Sequence, residues 1–137
     1  MSSRLRHLGD RAGATGEFFR RVARLLLDQH RERFLRSPWL PLDPDTVRRK
    51  ARQGQDPRIL RVTGTLERAL TVWGAPGQKL QITPDELVFG LEQSGAAYYG
   101  VFHQRGEGVP KREVVKATQA TRRRVAEALR DHLFGRL

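Results

Sequence analysis

Leu80-Gln81-Ile82-Thr83-Pro84-Asp85-Glu86-Leu87-Val88-Phe89 is the stretch that decides the fold class of this chain. Leu80 and Ile82 alternate with Gln81 and Thr83. Pro84-Asp85 is a turn signal, and Leu87 and Phe89 then alternate with Val88. A period of two on both sides of a turn predicts two antiparallel strands. Upstream, Leu70 and Val72 alternate with Thr71 and Trp73, ahead of a glycine turn over residues 74–77. Residues 109–116, around Pro110, form a further strand candidate. The expected sheet is therefore a small antiparallel one of three to four strands.

On either side of this sheet the period changes to that of a helix. From Glu17 to about Leu35, Phe18, Val22 and Leu25 share one stripe, and Phe19, Val22, Leu26 and Phe34 an adjoining one. Thr15 or Gly16 suits its N-cap, with Glu17 at the positive end of the dipole. Pro38, Pro41 and Pro44 then force an extended or turned segment. Asp43 is a good N-cap and Pro44 a good first residue for a short helix, with Leu42 and Val47 at the positions of a hydrophobic staple. Arg48, Arg49, Lys50 and Arg52 close that helix at its negative end. Thr63-Gly64 precedes a brief helix presenting Leu66 and Leu70. Tyr98, Val101 and Phe102 predict a further helix of two or three turns, stopped by Gly106. From about Thr118, Thr121, Val125, Leu129 and Leu133 recur every four residues in a last helix, with Ala128 and His132 beside them. The fold class is thus α+β, with the sheet packed against a long N-terminal helix and a C-terminal helix. Residues 1–15 read as a flexible basic arm and residues 16–137 as one α+β domain.

The chain has 137 residues, 26 Lys plus Arg against 15 Asp plus Glu, a net charge of +11, and no cysteine. That length fits one domain, which buries about two-thirds of its unfolded surface. Without cysteine a disulfide-stapled scaffold is excluded. No apolar run approaches the roughly 20 residues of a membrane span, and the first residues lack the apolar stretch of a signal peptide. A soluble intracellular chain, or part of an assembly made inside a cell, is expected. The charge is uneven: +5 over residues 1–36, +3 over 37–75, −2 over 76–104 and +5 over 105–137. Arg outnumbers Lys 22 to 4, which suits bidentate contacts to phosphate or carboxylate, although codon bias yields the same composition.

A catalytic constellation is not legible. Residues 74–79 are a glycine turn without the lysine–hydroxyl ending of a phosphate-binding loop. His7, His30, His103 and His132 lack metal-ligand spacing. His103 and Glu107 stand four apart, a spacing that fits a helix-end histidine better than a ligand pair. Asp43, Asp45 and Asp85 are used by caps and turns. No nucleophile, base and orienter come together, so no enzyme, cofactor, metal or small-molecule substrate is expected. Trp39, Trp73, Tyr98 and Tyr99 are candidate base-stacking residues that also sit in apolar, core-like patterns.

Five segments in order carry a resemblance: Ser37-Pro38-Trp39-Leu40-Pro41-Leu42; Thr46-Val47-Arg48-Arg49-Lys50; Ile59-Leu60-Arg61-Val62-Thr63-Gly64-Thr65-Leu66; Ala97-Tyr98-Tyr99-Gly100-Val101-Phe102-His103-Gln104-Arg105-Gly106; and Val109-Pro110-Lys111-Arg112. The series resembles the Mu-type phage virion morphogenesis and tail-completion family across roughly residues 37–117. Two departures stand out. Gly100 interrupts the tyrosine-helix motif, and Pro110-Lys111-Arg112-Glu113-Val114 lacks the family's second proline and aromatic.

The resemblance implies a structural virion protein of the tail or neck, assembled in the bacterial cytoplasm. Such a subunit forms a homo-oligomeric ring, six subunits being the expected number. The ring completes or terminates the tail and joins it to the neck. Its implied partners are copies of itself, the tail tube protein, neck and head-completion proteins, and DNA in the channel; no membrane is involved. Arg48, Arg49, Lys50, Arg52, Arg122, Arg123 and Arg124 are then candidates to face lumen DNA or acidic neighbours. Trp39, Asp43, Pro44, Thr63, Gly64, Tyr98, Phe102, Gly106, Pro110 and Arg112 are motif residues with structural roles: Asp43-Pro44 starts a helix, Thr63-Gly64 caps another, Tyr98 and Phe102 pack, and Gly106 stops. The alternative is a sequence-independent nucleic-acid-binding protein, whose affinity would be salt-sensitive.

Overall fold

A computed structural model of the chain describes residues 15–39, 41–56, 58, 60, 64–92 and 99–135. Thr63, Tyr98 and nearly all of the expected arm lie outside these residues, as do the side chains of Tyr99 and Val101. The elements in order are α1 (Thr15–Arg36), α2 (Pro44–Arg52), α3 (Thr65–Thr71), β1 (Gln78–Ile82), β2 (Leu87–Leu91), α4 (Tyr99–Arg105) and α5 (Gln119–Phe134). The class is α+β, with long helices near both ends of the sequence.

α1 organises the rest. It buries Val22, Ala23, Leu27, Gln29, His30 and Phe34, while its remaining faces carry arginines. The buried stripe is centred on Val22, Leu27, His30 and Phe34, so Leu27 and His30 join the stripes read from the sequence. Along its first half α1 packs antiparallel to α5. Phe18 stacks on His132 at 5.3 Å, Arg21 meets Asp131 at 3.9 Å, and Gln29 reaches Thr118. α5 starts as its sequence predicts: Thr118 caps it, the hydroxyl accepting from the Thr121 amide at 3.2 Å. It buries Thr121 and Ala128, whereas Leu129 and Leu133 stay exposed, which rotates its packed face from the expected four-residue stripe. Along its second half α1 meets the core of Phe34, Leu60, Leu66, Leu70 and Val114, against which Trp39, Phe89, Leu91 and Val115 pack. Each fully buried leucine there contributes about 1.5–3 kcal/mol.

β1 and β2 form the predicted hairpin. They pair antiparallel with Leu80 opposite Phe89 and Ile82 opposite Leu87. Alternation therefore places Leu80, Ile82, Leu87, Phe89 and Leu91 on one face. Among the described residues the sheet has these two strands, not three or four. The expected strand at Leu70–Trp73 is instead the end of a helix. Leu66 and Leu70 lie one turn apart on the core, and the ladder continues to Val72, whose amide donates to the Arg68 carbonyl at 2.9 Å. The α3 end is also satisfied from outside. Gln78 donates to the Ala69 and Val72 carbonyls, and Arg31 donates to that of Thr71. Gly64, left-handed at φ 77, occupies the N-cap position without a side-chain cap.

The expected strand at 109–116 is absent for a different reason. Its backbone pairs with side chains instead of with a strand. Gln104 accepts from the Val114 and Val115 amides at 2.7 and 2.9 Å and donates to the Val115 carbonyl at 2.9 Å. Arg33 and Trp39 both donate to the Glu113 carbonyl. The Lys116 amide donates to His30 Nε2, the Lys116 carbonyl accepts from Gln29, and Gln29 accepts from the Thr118 amide. Each buried backbone group so paired avoids a desolvation cost without a ladder. α4 sits over this segment. Gly100 is buried, and a Cβ there would lie 2.6 Å from Leu66 and 2.7 Å from Leu91. The glycine that interrupts the tyrosine motif thus lets α4 lie directly on the core. Gly106, at φ 73, ends α4 as predicted, with its own amide and that of Glu107 both donating to the Phe102 carbonyl. Phe102 itself is 38% exposed.

Candidate functional site

The basic helix α2 starts where its sequence says. The Asp43 carboxylate accepts from the Asp45 amide at 2.8 Å, and Pro44 fills the first turn. Leu42 and Val47 occupy the staple positions, but Val47 is exposed. Across from α2 runs the end of α4 and the chain beyond it. There the His103 carbonyl, left open by the helix end, accepts from the Arg112 amide at 2.8 Å. Arg112 also points its guanidinium toward the Pro41 carbonyl at 3.5 Å.

Between these two walls lies a cleft of about 570 Å³. Its lining includes Pro41 and Leu42, Thr46 and Lys50, Leu60, His103, and Pro110 with Arg112. Every one of the five motif segments therefore contributes to a single cleft. Leu60 adopts the left-handed region at φ 61 while its side chain is buried in the core, a strained backbone fixed by its surroundings.

The cleft is electropositive. Lys50 is 5% exposed and Arg112 6% exposed. Burial holds the Lys50 ammonium and the Arg112 guanidinium below their ordinary pKa values, with Asp56 partly offsetting this at Lys50. His103 is pushed down by burial first and then by the fields of Arg112 and Lys50. Lys50 Nζ donates to the Arg58 carbonyl at 2.8 Å. The acids nearby are engaged: Asp43 caps α2, and Asp56 accepts from the Arg58 amide and guanidinium.

The candidate basic residues thus separate. Lys50 is buried in the cleft wall instead of standing on the open face of α2, and its ammonium is held by the Arg58 carbonyl. Arg49 stands exposed at the cleft rim, Arg48 pairs with Asp45, and Arg52 is exposed. Arg122, Arg123 and Arg124 are all exposed on α5. Arg124 lines a hollow with Arg33, Arg36 and Glu32 that shares no residue with the cleft. The structure does not bring the two arginine sets into one site.

A third hollow, about 660 Å³, lies between α1 and the end of α3. It is lined by Arg20, Arg24, Arg31, Leu27 and Trp73, the indole being 45% exposed. Its cations are spaced four and seven residues apart on α1, a signal visible in the sequence once Trp73 is placed beside them. Gln29, His30 and Gln104, which bond the 114–118 backbone, carry no local signal in the sequence because their partners lie far along the chain. Among the described residues, no group of three or more His, Asp or Glu is arranged to hold a metal, and no helix is long and apolar enough to cross a membrane.

No protein-family model, curated protein or solved structure matches this chain.

Proposed function

We propose that this chain is a structural subunit of a phage-type particle, working at the head–tail connection as a homo-oligomeric ring that completes the tail and joins it to the neck. Its partners are copies of itself, the tail tube protein and neck or head-completion proteins, and its place is the virion. It acts by binding, not by catalysis. One observation supports this reading most: an apolar stripe on α5 and open strand edges are left on the surface. α5 exposes Leu129, Leu133 and Phe134, the last 70% exposed. The two-stranded hairpin keeps outer edges to which no described strand is hydrogen-bonded. An apolar helix stripe on one side and an open strand edge on another are suited to a head-to-tail contact that closes by rotation. The exposed arginines, Arg49, Arg52 and Arg122–Arg124 among them, then face DNA in passage or acidic neighbours.

Images of particles assembled without this chain test the reading directly. Abnormally long or unattached tails are expected; particles of normal length and attachment would sink it. Replacing Leu133 and Phe134 together by Glu is expected to give the same defect while the isolated chain stays folded.

A second reading, sequence-independent nucleic-acid binding, is favoured by the hollow in which Trp73 stands beside Arg20, Arg24 and Arg31. An exposed indole flanked by guanidinium groups suits base stacking with phosphate contacts. A steep salt dependence of single-strand binding, lost in Trp73→Ala, would support that reading, and salt-independent or absent binding would remove it.

A further inference from the structure

We infer that the cleft between α2 and the 103–112 segment is a binding site for a carboxylate carried on an apolar stem. The inference rests on the cleft alone and holds whether or not the chain forms a ring. Lys50 and Arg112 lie sunk in the walls, Arg49 stands at the rim, and His103 lies between them. Asp43 accepts from the Asp45 amide and Asp56 from Arg58, while the Asp56 charge also acts on Lys50. Lys50 uses one of its three N–H donors on the Arg58 carbonyl among the described residues. A buried ammonium such as Lys50 gains most from an anion that completes its hydrogen bonds.

The rest of the wall decides which anion. Leu42, Leu60 and Pro110 are apolar, and they flank the cations on the same cleft. A phosphate ion is hydrated on every side and would lose that hydration against the apolar wall. A carboxylate has one polar end, and its stem can lie on Leu42, Leu60 and Pro110. The volume, about 570 Å³, falls within the range of small-ligand sites. Duplex DNA is a poor fit, since its convex backbone cannot reach side chains that are 5–6% exposed. The chemistry has two sources: a free small organic acid, or a glutamate or aspartate between apolar residues of an extended peptide.

Amide-resolved NMR titration of the full chain separates these. The probes are hexanoate, the neutral isostere hexanamide, inorganic phosphate, and the peptide acetyl-Leu-Pro-Glu-Leu-amide with its Gln counterpart. Hexanoate is expected to shift Thr46, His103 and Arg112 saturably, with about millimolar affinity. Arg49→Glu should weaken it on the order of tenfold, with the spectrum of the fold intact. Arg130→Glu, the same charge change on α5, should leave it unchanged. Tighter binding of the Glu peptide than of hexanoate assigns the peptide source, and the reverse order assigns the free acid. The proposal is overturned if hexanoate leaves the cleft resonances unmoved, if hexanamide or phosphate binds as well, or if Arg130→Glu weakens binding as much as Arg49→Glu.

Discussion

At the scale of the residue, His30 shows how one side chain ties three elements together. Its Nδ1 lies 2.6 Å from the Leu26 carbonyl, and its Nε2 accepts from the Lys116 amide at 3.2 Å. Phe89 lies against the ring at 5.1 Å. This pattern requires the neutral ring with the hydrogen on Nδ1. Protonation would place a second donor at Nε2, facing an amide N–H. Burial, with the Arg33 charge adding to it and the Leu26 carbonyl opposing, lowers the His30 pKa from 6.5 to about 4. The unfolded chain therefore binds more protons than the fold between those values, so stability rises with pH through this window. Acidification from pH 7 to pH 4 is expected to remove about 3 kcal/mol through His30. His103, also lowered, acts in the same direction. Urea unfolding at pH 7, 5.5 and 4.5 measures this. His30→Leu should be less stable at pH 7 but lose most of the slope; a wild-type stability that stays flat across the window contradicts the assignment.

At the scale of the element, the segment 112–118 is the feature that local rules misjudge. Its residues suit a strand, but its backbone bonds to side chains of α1 and α4 instead. Gln104 supplies the pairing, with three hydrogen bonds to Val114 and Val115. Gln104→Ala leaves two amides and a carbonyl without this partner, and should cost about 3 kcal/mol by chemical denaturation. Gln104→Glu keeps the acceptors and loses the donor, so it should cost distinctly less; equal losses would mean that packing rather than pairing holds the segment. This contrast also explains what was readable from sequence. Asp43-Pro44, Thr118, Gly106 and the hairpin around Pro84 are set by neighbours within a few residues, and all four stand where expected. The 109–116 strand and the Leu70–Trp73 strand fail because their outcome depends on Gln29, His30, Arg33 and Gln78, most of them distant in the chain. The candidate site follows the same division. Each of its residues belonged to a motif that could be quoted, including Lys50, Pro110 and Arg112. Their convergence on one cleft depends on α2 facing the end of α4, which no local spacing encodes.

At the scale of the whole molecule, the net charge of +11 is carried mostly by exposed arginines. Ion pairs such as Arg31–Asp28, Arg36–Glu32 and Arg58–Asp56 join near neighbours in sequence on open surface. Pairs of this kind contribute little, and salt weakens them. Against them stands the mutual repulsion of the remaining cations, with Arg20 and Arg24 sharing one hollow and Arg33 and Arg124 another. Repulsion acts over distances of about 10 Å at 0.1 M salt, so it sums over the molecule while each pair acts alone. The repulsive sum wins, and screening should stabilise the fold. Calorimetry at pH 7 is expected to show the melting temperature rising by about 3–6 °C between about 0.02 M and about 0.5 M sodium chloride. Sodium chloride keeps specific anion effects small, and a fall in melting temperature would mean that the ion pairs outweigh the repulsion. The same screening separates the two proposed functions: on the ring proposal, self-association through the Leu133–Phe134 surface should strengthen over the same range of salt, whereas on the nucleic-acid proposal binding should weaken.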